Sequence, residues 1–505
     1  MQNGFRVAAV TSIAVVAALA WLLRAGSTGP EGDTLILYYA AGIRQPVEEV
    51  IDEYSEKYDV EIQTQSAGSG RLMATIADLG KGDLFLAADV DYLEQLRAGE
   101  TFDNRYVEEI LPVAYQRPVI AVARGNPKNI QGLDDLVRED VKLSLADPKV
   151  AAISKTARSR LTSDTWDALW EHKFATRDTV NMVAGDVKLG AADAGIIWDA
   201  TATQYPSIDM VAVPEFDAKQ NQIAVGVLTS AKDPTRALHF ARYLTARDRG
   251  LQSFEKHGYR PVEGDKWAEK PEISLYCGGL NWLATEPIVK EFQKREGCQV
   301  LTRYGGCGQL VGEMQARVGS HNQLPCDAYF ACDVTYMERV QQWFDSPRDV
   351  SKVEMVIAVQ KGNPEDVKQL SDLARDGMQV GLCNPQLSAL GDLTKQLLDR
   401  HALYEAVSPN VQDQPATAAS LVEQVSLQRL DAAIVYRANT AAEENRVDVV
   451  EIDDPNVWAV QPVAVSKNSG HKHLSERLMQ RLISADSQPV FEDLKFQWLG
   501  ETAGP

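Results

Sequence analysis

The chain has 505 residues, 45% hydrophobic and 24% charged, with a formal net charge of −20. That is ordinary soluble globular material, long enough for roughly three domains of about 150 residues and for more than one sizeable core. Such an acidic balance argues against nucleic acid as a partner, since a phosphate backbone demands clustered Lys and Arg, but it permits a small anion held by local dipoles in a cleft.

In chain order, Arg6 precedes an apolar run at 7–23, broken only by Thr11 and Ser12 and closed by Arg24. The run is long for a signal-peptide core and short for a membrane span. Ala18-Leu19-Ala20 offers a small-x-small cleavage pattern, whereas Arg24 and the Gly/Ser/Thr/Pro spacer at 26–32 suit an uncleaved anchor. Residues 1–27 therefore read as a signal peptide or an N-terminal anchor. Either places the protein in the periplasm or at the cell surface, the anchored form held in the inner membrane by residues 7–23.

Residues 34–39 read as a buried strand followed by a Gly turn, and Val47, Val50, Ile51, Tyr54 and Tyr58 then fall at helical spacing. Residues 84–88, 118–123, 141–146 and 195–198 are further strand-like runs bounded by turn residues. Alternating strands and helices predict an α/β fold, a mainly parallel sheet covered on both faces. The pattern then recurs. Leu37-Tyr38-Tyr39-Ala40-Ala41-Gly42-Ile43 resembles Ser274-Leu275-Tyr276-Cys277-Gly278-Gly279-Leu280, and Gly125-Asn126-Pro127 returns as Gly362-Asn363-Pro364. Leu133-Asp134-Asp135-Leu136 returns as Leu370-Ser371-Asp372-Leu373, and Asp147-Pro148 as Asn384-Pro385, all at an offset of 237 residues (125 to 362). Two copies are expected, at 33–264 and 272–505, joined by a charged stretch. The period is far above that of solenoid repeats, so each copy is a domain in its own right.

In such a sheet, ligands gather beyond the strand C-ends, where helix N-termini present free N–H groups. In the first copy three segments are expected there: Ala40-Ala41-Gly42, residues 67–72 with Gly68, Ser69 and Gly70, and residues 83–89. Small residues let backbone approach a ligand, and Ser69 adds a neutral hydroxyl donor. Gly-rich turns of this kind are common and usually structural, so order and spacing carry the argument. Asp89 and Asp333, each ending a strand–helix unit, read as helix caps rather than catalytic carboxylates. The seven His fall in loops or helices away from these segments, and no GxSxG, HExxH or phosphate-loop pattern occurs. No enzyme activity and no cofactor are expected.

The order Ala-Ala-small, Ser-Gly-x-Leu, Asp-Leu-Phe-x-Ala-Ala-Asp, Gly-Asn-Pro, Asp-Pro, Gly-Ile-Ile-Trp resembles the molybdate/tungstate-binding receptors of ABC importers, and both copies match over nearly their whole length. The resemblance implies two tandem periplasmic-binding-protein-like (type II) domains, each of two lobes with a cleft, closing on one small oxyanion by hinge motion. It implies an ABC permease as partner and no required metal. By position, the contacts it implies are Gly42, Ser69, Ala152 and Trp198 in the first copy, and Gly279, Cys307, Ala389 and Tyr436 in the second. The family's first-turn Ser is Gly42 or Gly279 here, and its Tyr is Trp198 in the first copy, able to donate only through its indole N–H. Arg44 and Arg71 lie beside two of the first copy's anion loops, where the second copy has Asn281 and Gln309. They are read either as favouring an anion, an organic one included, or as solvated surface arginines.

All six Cys lie in the second copy. By alignment with the first copy, Cys277 replaces Ala40, Cys307 replaces Ser69, Cys332 replaces Ala88 and Cys383 replaces Ala146. This puts four thiols at strand ends facing the cleft. Three readings stand: disulfides, as an even count in an oxidising compartment suggests, buried small residues, or a soft-metal site of Cys277, Cys307, Cys332 and Cys383. The second copy is expected to differ from the first in selectivity. The rival to a transport receptor is a membrane-tethered sensor or adaptor in which one or both sites are degenerate.

Overall fold

The computed structural model describes residues 34–99, 104–217, 219–321 and 323–502. The predicted leader, residues 1–27, lies outside them, and among the described residues no helix is long and apolar enough to cross a membrane. The chain divides into two compact units, one running to Thr245 and including Arg249–Val262, the other formed by Ala246–Asp248 and the chain from Glu263.

The first unit begins with β1 (Thr34–Ala40), β2 (Glu61–Ala67) and β3 (Leu84–Ala87), then leaves along β4 (Val107–Gln116) into β5 (Pro118–Ala123). It builds β6 (Leu143–Ala146), β7 (Ala175–Arg177), β8 (Ala194–Trp198) and β9 (Ile208–Val211), and returns along β10 (Asn221–Leu228) to β11 (Arg260–Pro261). The order β11-β4-β10-β3-β1-β2 makes one sheet and β7-β6-β8-β5-β9 the other. These are two lobes joined by two crossings. β1 runs parallel to both its neighbours, as does β6. Every residue of β3 and of β8 is buried, as expected where helices cover both faces of a parallel sheet. The helix Arg44–Tyr58 buries Val47, Val50, Ile51 and Tyr54, the stripe its spacing predicts.

The second unit repeats the plan with β12 (Glu272–Gly278), β13 (Gln299–Gly305), β14 (Ala328–Phe330), β15 (Arg348–Gln360), β16 (Val380–Gly381), β17 (Val411–Asp413), β18 (Ala432–Tyr436), β19 (Val447–Glu451), β20 (Trp458–Val465) and β21 (Gln497–Trp498). Here one 13-residue strand, β15, serves both lobes. Its first half pairs with β20 and its second half with β18 and β19. The first unit breaks the same path at Pro118. Where Met355 donates its N–H to the Val457 carbonyl at 2.8 Å, proline has no N–H to give.

The structure corrects the alignment of the first strands. β1 and β12 are each followed by a three-residue 3-10 turn, Ala41–Ile43 and Gly279–Asn281, and then by 15-residue helices, Arg44–Tyr58 and Trp282–Glu296. The offset there is 238 residues (34 to 272), not 237. A one-residue slip exchanges the two faces of a strand. Cys277 therefore stands where the first unit has Tyr39 rather than Ala40, Gly279 where it has Ala41, and Trp282 where it has Arg44.

Asp83, grouped by sequence with the cleft segments, sits at the opposite end of β3. Its carboxylate accepts the Ile36 N–H at 2.8 Å and the Lys232 N–H at 3.0 Å. Asp327 does the same in the second unit, accepting the Ser274 N–H at 2.8 Å and the Ser469 hydroxyl at 2.7 Å. These carboxylates hold strand beginnings rather than ligands. An unpaired buried donor costs about 1–3 kcal/mol. Asp83→Ala strands the half-buried Ile36 N–H, while the exposed Lys232 N–H can turn to water, so it is expected to destabilise the first unit by roughly 1–3 kcal/mol, lowering the urea midpoint at constant slope. An unchanged midpoint would refute this role.

Candidate functional site

Where the parallel strands of the first unit end, a cavity of about 20 Å³ opens between its lobes. Five of its wall residues each start a helical turn. Ala40 precedes the turn Ala41–Ile43, Gly68 the helix Ser69–Leu79, and Ala151 the helix Ala152–Arg160. Thr179 precedes Val180–Lys188, and Trp198 precedes the short helix Asp199–Thr203. The first N–H groups of a helix have no partner within it, and that end carries partial positive charge. Thr179 caps its own helix, accepting from the Met182 N–H at 3.3 Å, and at the start after Trp198 the Asp199 N–H goes to the Arg117 carbonyl and the Ala200 N–H to the Asp199 carboxylate, both at 2.9 Å; the other three starts carry no side-chain cap. No Lys, Arg or His lines the cavity. It offers uncapped amide donors and no formal charge.

Ser69, buried at the start of its helix, accepts the Ala88 N–H at 3.2 Å. A hydroxyl that accepts from the wall keeps its own proton to donate into the cavity. The Ala88 carbonyl is held in turn by the Gln116 amide at 2.8 Å. Of the residues expected from sequence, Gly42, Ser69, Ala152 and Trp198 line this one cavity. Arg44 and Arg71 do not. Arg44 pairs with Glu48 at 2.8 Å and Arg71 with Asp178 at 2.9 Å, both side chains more than half exposed.

A matching cavity of about 20 Å³ in the second unit is lined by Gly279, Gly306, Cys332, Ser388, Thr417 and Tyr436 among others. Ser388, Ala418 and Tyr436 each precede a helix without capping it. Gly279 and Tyr436 thus reach the cavity, Ser388 lines it in place of its neighbour Ala389, and Cys307 is buried behind it. The Tyr436 hydroxyl is buried with no hydrogen-bond partner. Cys307 repeats the bond of Ser69, its sulfur accepting the Cys332 N–H at 3.1 Å.

The cysteines do not assemble as the metal reading requires. All six are buried free thiols, so no cysteine bridge holds the fold together. Among the described residues no three His, Cys, Asp or Glu side chains gather where a metal ion would sit. Cys277 turns toward the Thr285 hydroxyl at 3.7 Å, away from the cavity, a consequence of the one-residue slip. Burial pushes the Cys277 and Cys326 thiols well up and the Cys383 thiol up to about 12, so these sulfurs keep their protons rather than offer thiolates.

Asp333 caps the helix Val334–Glu338 through the Thr335 N–H at 3.0 Å. Asp89 accepts the Asp91 N–H at 3.1 Å and also holds the Thr156 hydroxyl at 3.1 Å and the Asn221 amide at 2.6 Å. It is buried, and burial raises its pKa. Thr156 belongs to the helix Ala152–Arg160 of the other lobe, so Asp89 also helps hold the lobes together.

Sequence reasoning missed a glycine seam across the cleft. Gly70 donates its N–H to the Val150 carbonyl at 3.0 Å. A Cβ on Gly68 would lie 2.2 Å from the Val150 oxygen, and one on Gly70 2.6 Å from the Lys149 oxygen. In the second unit Gln309 donates to the Leu387 carbonyl at 3.2 Å, and a Cβ on Gly306 or Gly308 would meet backbone oxygens at 2.2 Å and 2.1 Å. The signal was present as Gly-x-Gly at 68–70 and 306–308 in both copies.

Residues 35–260 and 273–496 each match the family of bacterial extracellular solute-binding proteins. A putative binding protein of Haemophilus influenzae is 23% identical over 231 residues, 45% of this chain and 91% of its own length. The molybdate-binding protein ModA of Mycobacterium bovis is 23% identical over 252 residues, 48% of this chain and 93% of its own. The solved periplasmic molybdate-binding protein of Azotobacter vinelandii is 16% identical, with a TM-score of 0.37, over 45% of this chain and 98% of its own.

Gly68 has ordinary extended backbone (φ −64°, ψ 143°), so alanine there meets obstruction only when the lobes close. In Gly68→Ala the Gly70 N–H is expected to lose its partner across the cleft and to exchange with solvent at least about tenfold faster, with the unfolding midpoint kept. An unchanged exchange rate would contradict the seam.

Proposed function

The chain belongs to the bacterial extracellular solute-binding proteins, and from that premise we propose that it is exported and closes on one small, fully ionised tetrahedral oxyanion, molybdate, tungstate or another ion of that class, for delivery to an ABC permease. One observation carries the reading: three helical starts without side-chain caps, after Ala40, Gly68 and Ala151, converge with the Ser69 hydroxyl on a cavity that no cationic side chain lines. Each helix N-terminus contributes about 0.3–1 kcal/mol toward an anion when exposed and up to ~2 kcal/mol when partly buried. Neutral donors suit an ion that only accepts. A protonated ion would bring an O–H into a cavity wall that holds no carboxylate.

The size of the cavity agrees. About 20 Å³ is little more than one water molecule needs, a scale for a compact ion rather than a sugar or peptide. An organic anion held by arginine loses its motive, because Arg44 and Arg71 are paired outside the wall. The protein acts by binding, not by catalysis.

The second cavity keeps uncapped helical starts and adds the unpartnered Tyr436 hydroxyl, but it presents Cys332 and withdraws the Ser69 equivalent into Cys307. A thiol donates more weakly than a hydroxyl. The second site therefore holds the same class of ion less tightly, which favours a receptor with two unequal sites over an adaptor with none.

Calorimetry on the whole chain with molybdate, tungstate, sulfate and phosphate tests this. The expected result is a tight site for at least one fully ionised tetrahedral ion and weaker binding of phosphate. Losing a hydrogen bond to a charged ligand costs about 1.5–3 kcal/mol, so Ser69→Ala should weaken that site by roughly tenfold to a hundredfold. No heat with any of the four ions would overturn the proposal, and unchanged affinity in Ser69→Ala would remove Ser69 from it.

A further inference from the structure

We propose that Cys307 and Cys332 form an oxidisable dithiol at the second cavity, closed to a disulfide by hydrogen peroxide. The geometry brings the two sulfurs together. Cys307 Sγ accepts the Cys332 N–H at 3.1 Å, and both sulfurs press on the same glycine: a Cβ on Gly278 would lie 2.2 Å from Cys332 Sγ and 2.9 Å from Cys307 Sγ. The first unit has Ser69 and Ala88 at these positions, joined by the same N–H bond, so the fold does not need the sulfurs. Cys332 lines the cavity, which gives a molecule of peroxide size a way in, while Cys307 lies directly behind.

The chemistry assigns each sulfur a part. Cys332, the one the cavity exposes, attacks one peroxide oxygen; its hydrogen bond to the Cys307 sulfur and its burial hold this thiol well above the ordinary value, so its proton passes to Cys307 as the attack begins. The O–O bond breaks, the displaced hydroxide takes a proton from solvent and leaves as water, and Cys332 becomes a sulfenic acid. Cys307 then attacks that sulfur, the S–S bond forms, and the hydroxyl departs with the Cys307 proton as a second water. Two thiols are oxidised and both peroxide oxygens are reduced to water. Cys307 is suited to the second step: although burial raises its pKa, the Cys332 thiol and N–H, which donate to it, bring it below the ordinary thiol value. Cys277, on the other face of β12, is held up by burial and takes no part.

The inference stands independently of what the second cleft binds. The experiment treats the whole folded chain with hydrogen peroxide, quenches in acid, and counts thiols after denaturation. Two of the six thiols should disappear, and peptide mapping should find Cys307 joined to Cys332 with two hydrogens lost. Cys307→Ser and Cys332→Ala should each abolish the link. The double variant, which restores the pair found in the first unit, should fold and keep its four remaining thiols. Survival of all six thiols, a link between any other pair, or a lasting sulfinic acid on Cys332 would overturn the proposal.

Discussion

A helix starts with N–H groups that nothing inside it can satisfy. Most proteins cap them with Ser, Thr, Asp or Asn; here Ala40, Gly68 and Ala151 open three such starts without a side-chain cap around one small space. The rest of each unit follows from that choice. Parallel strands deliver their C-ends to one line, small residues let backbone come close, and two sheets supply donors from opposite sides. The glycine seam lets the sides meet, since any Cβ at Gly68 or Gly306 would strike a carbonyl of the other lobe. Uncapped donors buried against each other would be costly, and an occupant that only accepts, as proposed above, would relieve that cost.

The two units show what the scaffold tolerates. Crossing strands differ in continuity because Pro118 lacks the N–H that Met355 uses. A residue just past the third strand, Ala88 or Cys332, is held through its carbonyl by Gln116 in one unit and by Gln461, from a different crossing strand, in the other. Around these shared bonds the wall changes freely, Ser69 to Cys307 and Trp198 to Tyr436. The side chains that differ between the two units are thus ones that the fold does not require.

Much of this was legible in the sequence where order along the chain decides position. Gly42, Ser69, Ala152 and Trp198 each sit at a strand-to-helix junction, and junctions in an α/β sheet gather at one edge. What failed depended on register or on distant partners. Cys277 was assigned to the cleft because a one-residue slip leaves the motif almost unchanged while reversing the face. Asp83 and Asp89 bracket one short strand, yet only the far end meets the other lobe. The partner of Arg44 lies four residues along the same helix and could have been found; that of Arg71 lies 107 residues away and could not.

The most direct measurement is anomalous diffraction from crystals of the whole chain grown with molybdate. The account predicts a molybdenum peak inside the first cavity, within hydrogen-bonding reach of the Ser69 hydroxyl and the first amides of the helices at Ser69–Leu79 and Ala152–Arg160. A peak seated instead on Arg44 or Arg71, outside the ring of helix starts, would contradict it.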